Sequence, residues 1–343
     1  QKQLTSGNYD VTAILAVDPL SKNVFYEAAD ESPLRRNIYK VDMLKGVRTK
    51  LSKHSGYNTA QFSENGKYFV NKYSNTSTPA VITVNDALGK ELRTLVDNSA
   101  LKGKLAALHL PAKEFMKVKA ADGQELNAYI MKPANFDSSK KYPLVMIQYS
   151  GPNSQQVQDE FGIDWTDYLV SQGFIVACVD GRGTGARGQE FRKCTYMNLG
   201  VKEADDQVVA AKYFATLPYI DSSKMAIWGW SYGGYNTLMS MSRGSGTFKA
   251  GVAIAPVTDW KYYDTVYAER YMRTPQQNND GYNLSSPIKL ANKLEGNLLL
   301  IHGSADDNVH FQNTMDYADA LIKANKQFEM FVFTDKDHSI RGA

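Results

Sequence analysis

The sequence predicts an α/β fold: an eight-stranded, mostly parallel sheet covered by helices on both faces, preceded by an antiparallel β region. Three observations carry that prediction. Beyond residue 113, nearly continuous apolar runs alternate with helix-forming stretches, the pattern of strands buried on both faces. Up to about residue 100, short alternating segments are separated by Asn, Gly and Pro turns, which indicates antiparallel structure. Finally, Gly229-Trp-Ser-Tyr-Gly stands between the apolar run 224–228 and the helix-forming stretch 235–240, so a strand, a tight turn and a helix place Ser231 at an apex.

In chain order, the first region offers strands at 10–15, 23–27, 37–41, 60–63, 68–73 and 80–84, with turns at 18–19, 64–66 and 74–79. About two units of four strands fit, which reads as the last blades of a β-propeller. Two blades cannot close a ring, so the region is expected to be a fragment of something larger; a small independent sheet is the alternative. Residues 86–95 read as one last strand or a short helix. The boundary is placed after them, near Lys102-Gly-Lys104 and Pro111, giving a partial propeller over 1–105 and an α/β domain over 106–343. There, segments 115–120 and 125–131 flank Asp122-Gly123 as a hairpin. Strands at 142–148, 174–179, 225–229, 249–254, 297–301 and 328–333 follow, with a helix over 203–216 between the fourth and fifth of the eight.

Composition narrows the function classes. Hydrophobic residues at 43% and charged residues at 22% describe an ordinary globular protein. The net charge is only +3 and no basic stripe with interleaved aromatics exists, so nucleic acid is not an expected partner. No run of 18 apolar residues is present, so no membrane span is expected. The chain opens on Gln1 without a signal-like apolar core, read here as loss of the true beginning by processing or truncation. Two cysteines, Cys178 and Cys194, define no disulfide framework and leave the compartment open. His and Cys are too few and scattered for a metal site, and no cofactor is called for.

The chemistry converges on three strand ends. Ser231 sits where a strained turn lifts its hydroxyl clear of the sheet and where flanking glycines avoid collision. Asp306 follows the strand at 297–301, and His338 follows the strand at 328–333. Ser, Asp, His is the chain order of an α/β-hydrolase triad, with the nucleophile after the fifth of eight strands. A serine hydroxyl needs a neighbour to take its proton, and His338 can do so near neutral pH while a carboxylate orients the ring. Asp307 competes for the carboxylate role, and position alone does not decide between the two. His302 and His310 each read as a structural histidine or a rival base, but neither follows the last strand. The backbone N–H of Tyr232 is the expected oxyanion donor. Tyr149 stands after the third strand, where a glycine-rich donor loop is usual; by itself it reads more simply as a packed aromatic. Trp260, Tyr263 and Tyr267 are spaced i, i+3, i+7, which on periodicity alone is a core-facing helical stripe.

Four blocks together resemble the prolyl oligopeptidase family of serine peptidases: Gly229-Trp-Ser-Tyr-Gly-Gly-Tyr, Val179-Asp-Gly-Arg-Gly-Thr-Gly, Tyr149-Ser-Gly-Pro and residues 302–310. Residues 255–264, 267–272 and 305–310 resemble its dipeptidyl peptidase IV branch. The resemblance covers 113–343 and is weaker but collinear upstream, as for the C-terminal portion of such a protein. It implies release of N-terminal dipeptides ending in proline or alanine from peptide substrates, with a Ser231, Asp306, His338 triad. It favours Asp306 over Asp307, and makes the Tyr149 hydroxyl the second oxyanion donor. Tyr232, Val257, Trp260, Tyr263, Tyr267 and Val309 are implied to wall the proline pocket, with Asn308 and Arg270 beside it; Arg270 reads equally as a structural ion-pair partner. The family's amino-terminus-binding glutamates match nothing here, since Glu27 and Glu31 lie in no such motif. The chain ends five residues after His338, ahead of the helix that closes the family's sheet and contributes to dimerisation. By resemblance, the full protein is a homodimer and is secreted, periplasmic or on the cell surface. Rival readings are an acylaminoacyl or prolyl tripeptidyl peptidase, a carboxylesterase, and a binding protein with a dead triad, the last unsupported because all three residues are present.

Overall fold

The computed structural model describes residues 2–108 and 110–342 and divides into two compact units. The first holds residues up to 113 together with segments 157–167 and 186–189; the second holds 114–156, 168–185 and 190–343.

In the first unit, β1 (Val11–Asp18), β2 (Asn23–Ala28), β3 (Asn37–Asp42) and β4 (Arg48–Lys50) form one four-stranded antiparallel sheet in chain order. The strands β5 (Tyr57–Phe62), β6 (Tyr68–Asn75), β7 (Thr78–Asp86) and β8 (Glu91–Val96) form a second with the same order. Links this short permit only neighbouring antiparallel strands. Residues 86–95, open between strand and helix in the sequence, are a turn followed by β8: the Asp86 carboxylate accepts from the N–H groups of Leu88 and Lys90, both at 2.9 Å. Two elements went unread. β4 is three residues long and shows no alternation, and helix α1 (Ser99–Leu108) occupies the stretch where Lys102-Gly-Lys104 signalled a break. The sheets share a core of Phe25, Ile38, Leu51 and Phe69, with the Phe62 ring 4.4 Å from that of Phe25 and 4.9 Å from that of Phe69. Asp159, from the inserted segment, accepts from the Arg35 guanidinium at 2.9 Å and from the Thr76 N–H at 3.1 Å.

In the second unit, β9 (Glu114–Lys119), β10 (Glu125–Met131), β11 (Tyr142–Ile147), β12 (Ile175–Asp180), β13 (Ile220–Trp230), β14 (Ala250–Ile254), β15 (Asn297–Gly303) and β16 (Glu329–Phe333) make one eight-stranded sheet in the order β16-β15-β14-β13-β11-β12-β10-β9. The six strands from β12 to β16 run parallel, and the hairpin β9–β10 is antiparallel to them. This is the α/β-hydrolase sheet expected from the apolar runs. The helices are α2 (Trp165–Ser171), α3 (Gln189–Lys193), α4 (Val201–Ala215), α5 (Tyr232–Arg243), α6 (Thr265–Met272), α7 (Asn279–Leu284) and α8 (Gln312–Lys323). Parallel strands need crossovers, and α4, α5 and α8 supply those before β13, β14 and β16. The core runs through the sheet: Leu144, Met146, Ala177, Ile227 and Leu300 are fully buried, and Leu238, Phe214 and Leu321 bury the helices against it. Because all six parallel strands end on one edge, every loop after them opens there, which is where ligands bind in such sheets.

Candidate active site

Three of the expected residues follow the C-terminal ends of β13, β15 and β16. Ser231 lies between β13 and α5 with φ 59° and ψ −119°, a conformation that side chains rarely adopt. The backbone holds it there: its N–H donates to the Ile254 carbonyl at 2.8 Å, and its own carbonyl accepts from the Tyr235 N–H at 2.9 Å. Glycine is obligatory on both sides. A Cβ on Gly229 would stand 2.3 Å from the Gly233 backbone, and one on Gly233 would stand 2.5 Å from the Gln148 carbonyl. The turn therefore packs backbone on backbone, as the motif predicts.

The carboxylate and the histidine meet. His338 Nδ1 lies 2.7 Å from Asp306 Oδ2. Asp306 Oδ1 accepts from the N–H groups of Asn308 at 3.0 Å and Val309 at 2.8 Å. Burial by itself would raise the pKa of this carboxyl, but the hydrogen bonds from His302 and His338, the His338 charge and the Asn308 N–H together hold it well below the ordinary carboxylate range. Asp307, the competitor, is exposed and makes no side-chain hydrogen bond or ion pair among the described residues.

The rival histidines have other places. His302 is fully buried, with Nε2 2.8 Å from the Val309 carbonyl and 3.2 Å from Asp306 Oδ2, and Nδ1 2.7 Å from Thr314 Oγ1. A carbonyl only accepts, so Nε2 carries the proton and Nδ1 accepts from Thr314. With both nitrogens engaged, His302 braces the same Asp306 oxygen that His338 contacts. His310 is exposed and lies in the loop before α8. His338 is anchored by its backbone: the Trp230 indole N–H donates to its carbonyl at 3.1 Å, tying the β16 loop to the residue before Ser231. No hydrogen bond joins Ser231 to His338 among the described residues; in unliganded sites such contacts are often long and tighten when substrate binds.

Tyr149 is partly exposed at the end of β11. Burial pushes its phenol up, and the neighbouring Ser231 side chain offsets part of that, so the two hydroxyls are adjacent. The Tyr149 ring lies 6.0 Å from that of Tyr232. Tyr232, Val257, Trp260 and Val309 are buried in one cluster, with Tyr263 and Tyr267 packed on it. Rings link across it: Trp260 to Tyr232 at 5.5 Å, to Tyr263 at 5.8 Å and to Tyr267 at 5.8 Å in a stacked arrangement. The helical spacing of 260, 263 and 267 is coincidental. Trp260 opens a single 3₁₀ turn (Trp260–Tyr262), Tyr263 ends it, and Tyr267 sits in α6. Tyr263 donates to Asn308 Oδ1 at 2.8 Å, which leaves the amide NH₂ group as a donor. Arg270 is exposed on α6 and forms no ion pair among the described residues, so the ion-pair reading finds no partner.

Residues 161–343 match the model of the prolyl oligopeptidase family, and residues 1–80 match that of the dipeptidyl peptidase IV N-terminal region. The chain belongs to the prolyl oligopeptidase family. Among curated relatives, it is 41% identical to a probable dipeptidyl-aminopeptidase B of Metarhizium robertsii over 98% of this chain and 38% of that protein. A second, from Chaetomium globosum, is 43% identical over 98% of this chain and 37% of the relative. Among solved structures, dipeptidyl peptidase 4 of Porphyromonas gingivalis superposes with a TM-score of 0.97 at 56% identity, covering 100% of this chain and 49% of that one. A putative dipeptidyl aminopeptidase IV of Bacteroides ovatus gives 0.90 at 34% identity, over 98% and 48%. The chain thus spans less than half the length of these relatives.

Around this prolyl oligopeptidase-family site, sequence reasoning missed two supports, Gln148 and Glu203, and named a third, His302, only as a structural histidine or a rival base. Gln148 is buried, and its amide nitrogen donates to the Gly233 carbonyl at 2.7 Å and to Thr237 Oγ1 at 3.1 Å. Its oxygen accepts from Ser150 and Asn236, both at 3.0 Å, so it fixes the Tyr149 loop to the start of α5. His302 braces Asp306, and Glu203 on α4 accepts from the Tyr232 hydroxyl at 2.8 Å. Gln148 and Glu203 lie in no motif and are recognisable only once the chain is folded, whereas His302 opens the 302–310 block.

Proposed function

We propose that this chain carries the catalytic unit of a serine exopeptidase that releases X-Pro or X-Ala dipeptides through an acyl-enzyme. The observation that carries the reading is the His338–Asp306 pair at 2.7 Å on the same sheet edge as the strained Ser231. In this scheme His338 Nδ1–H, held by Asp306, leaves Nε2 free to take the Ser231 proton as Oγ attacks the carbonyl. The tetrahedral oxyanion receives the Tyr232 N–H and the Tyr149 hydroxyl, and His338 returns its proton to the leaving amine. Water then repeats the sequence on the acyl-enzyme. The aromatic cluster around Trp260 offers flat apolar walls to a proline ring, with the Asn308 amide and Arg270 placed for the peptide's polar groups. The two four-stranded sheets are read as the final blades of a propeller, a reading supported by the match of residues 1–80. For the full-length protein we also propose a homodimer outside the cytoplasm.

Tyr149 gives this mechanism a sharp test. Phe at this position keeps the ring and removes only the donor, so Tyr149→Phe is expected to lower kcat by about 10²- to 10³-fold with KM changed far less. An unchanged kcat removes the hydroxyl from the oxyanion site. The substrate class is tested on the full-length chain with Gly-Pro-nitroanilide and its N-acetylated form. Cleavage of the free amine alone supports dipeptide release. Equal cleavage of both forms points to an endopeptidase or acylaminoacyl peptidase, and cleavage of neither, with simple esters hydrolysed, points to a carboxylesterase.

A further inference from the structure

We propose that Glu203 is a positioning residue for the pocket beside Ser231: it fixes the Tyr232 ring from beneath and ties substrate affinity to its own protonation. The inference rests on the dipeptidyl-peptidase reading above. Glu203 occupies the first turn of α4 and is fully buried. One carboxyl oxygen accepts from the Tyr232 hydroxyl at 2.8 Å, while Oε2 has no hydrogen-bond partner among the described residues. A carboxylate so placed leaves a charge in an apolar cluster with half its capacity unmet, whereas a neutral acid does not.

No cation pairs with it among the described residues. From α5 it faces Tyr232 and Tyr235, from α6 Tyr267, and from the segment after α3 Cys194. Asp206, one turn along α4, is already paired with Arg182. Burial accordingly pushes the Glu203 carboxyl up to about 7, against the opposing pull of the Glu203 and Gly200 N–H groups and the Tyr232 hydroxyl. Tyr232 lies directly after the nucleophile and packs on Trp260, so whatever holds its ring sets the floor of the pocket. A proline ring entering there displaces water, lowers the local polarity and favours the neutral acid. As Glu203 ionises, substrate binding weakens.

The test is KM and kcat for Gly-Pro-nitroanilide from pH 6 to 8, on the full-length wild type, Glu203→Gln and Glu203→Ala. Glutamine keeps an acceptor for the Tyr232 hydroxyl and cannot ionise; alanine strands the hydroxyl. Glu203→Ala is expected to raise KM about tenfold with kcat much less affected, and Glu203→Gln to restore KM at pH 6. Between pH 6 and 8 the wild-type KM should rise by up to about tenfold more than that of Glu203→Gln, as one ionisation near 7 requires. The substrate's own amino group titrates identically in both proteins and cancels from the comparison. Parallel KM profiles for wild type and Glu203→Gln overturn the proposal, as does a Glu203→Ala loss confined to kcat. Labelling of Ser231 by a fluorophosphonate, which needs no proline ring, separates the two failures. A wild type that is labelled yet leaves Gly-Pro-nitroanilide intact overturns the substrate reading and the Glu203 proposal together; parallel profiles with normal cleavage overturn Glu203 alone.

Discussion

Ser231→Ala is expected to lower kcat/KM on a cleaved peptide substrate by about 10⁵- to 10⁶-fold while leaving the fold intact. The separation of the two effects follows from how the turn is held. Its strained φ of 59° is maintained by backbone groups, the Ser231 N–H on Ile254 and the Ser231 carbonyl under Tyr235, together with the glycine contacts at 229 and 233. Alanine retains all of them and loses only the hydroxyl, which caps nothing at the start of α5. Thermal unfolding should therefore stay within a few degrees of wild type, an effect of under about 1 kcal/mol. Fluorophosphonate labelling should vanish with the activity. A variant retaining a tenth of the wild-type rate would remove Ser231 from the chemistry, whatever the turn looks like.

The same turn explains why so much of this site was legible in the sequence. A nucleophile elbow is a backbone constraint, and its glycines are demanded within five residues, so Gly229, Ser231 and Gly233 announce it locally. His338 and the pair Asp306-Asp307 were legible because parallel strands deliver their following loops to one edge, and strand ends can be read from apolar runs, but only the family resemblance favoured Asp306 over its neighbour. The aromatic cluster was not legible in that way. Trp260, Tyr263 and Tyr267 mimic one helical stripe, yet they come from a 3₁₀ turn, its cap and α6, and only tertiary packing brings their rings together. Glu203 was hidden for a related reason. It lies in Lys202-Glu-Ala-Asp-Asp206, a stretch that reads as a solvated helix face, but Glu203 and Asp206 are both fully buried. Charge in a sequence predicts exposure until a partner is known, and the partners here, Tyr232 and Arg182, are 29 and 24 residues away.

Asp306→Asn should lower kcat about 10⁴-fold, whereas Asp307→Asn should change it less than twofold. Asp306 collects four donors: His338 and His302 on Oδ2, and the N–H groups of Asn308 and Val309 on Oδ1. An amide has one accepting oxygen. If that oxygen keeps the two backbone N–H groups, the amide NH₂ faces His338, whose Nδ1 must then accept and whose proton moves to Nε2, the atom required to be unprotonated toward Ser231. If the amide turns round, its NH₂ confronts two backbone donors in a buried place, which costs about 1–3 kcal/mol. The first arrangement loses the productive tautomer and the second keeps it only at that cost, while Asp307, exposed and without a side-chain hydrogen bond among the described residues, offers nothing comparable. A second signature is acid stability. The folded-state pKa of Asp306 lies below its ordinary value of 3.8, so its contribution to stability is complete above that value and is lost as pH falls through it toward the folded one. Wild type should therefore lose more stability than Asp306→Asn below about pH 4. Urea titrations across that range measure it, and a kcat that falls equally for Asp306→Asn and Asp307→Asn would mean that the carboxylate orienting His338 has been misassigned.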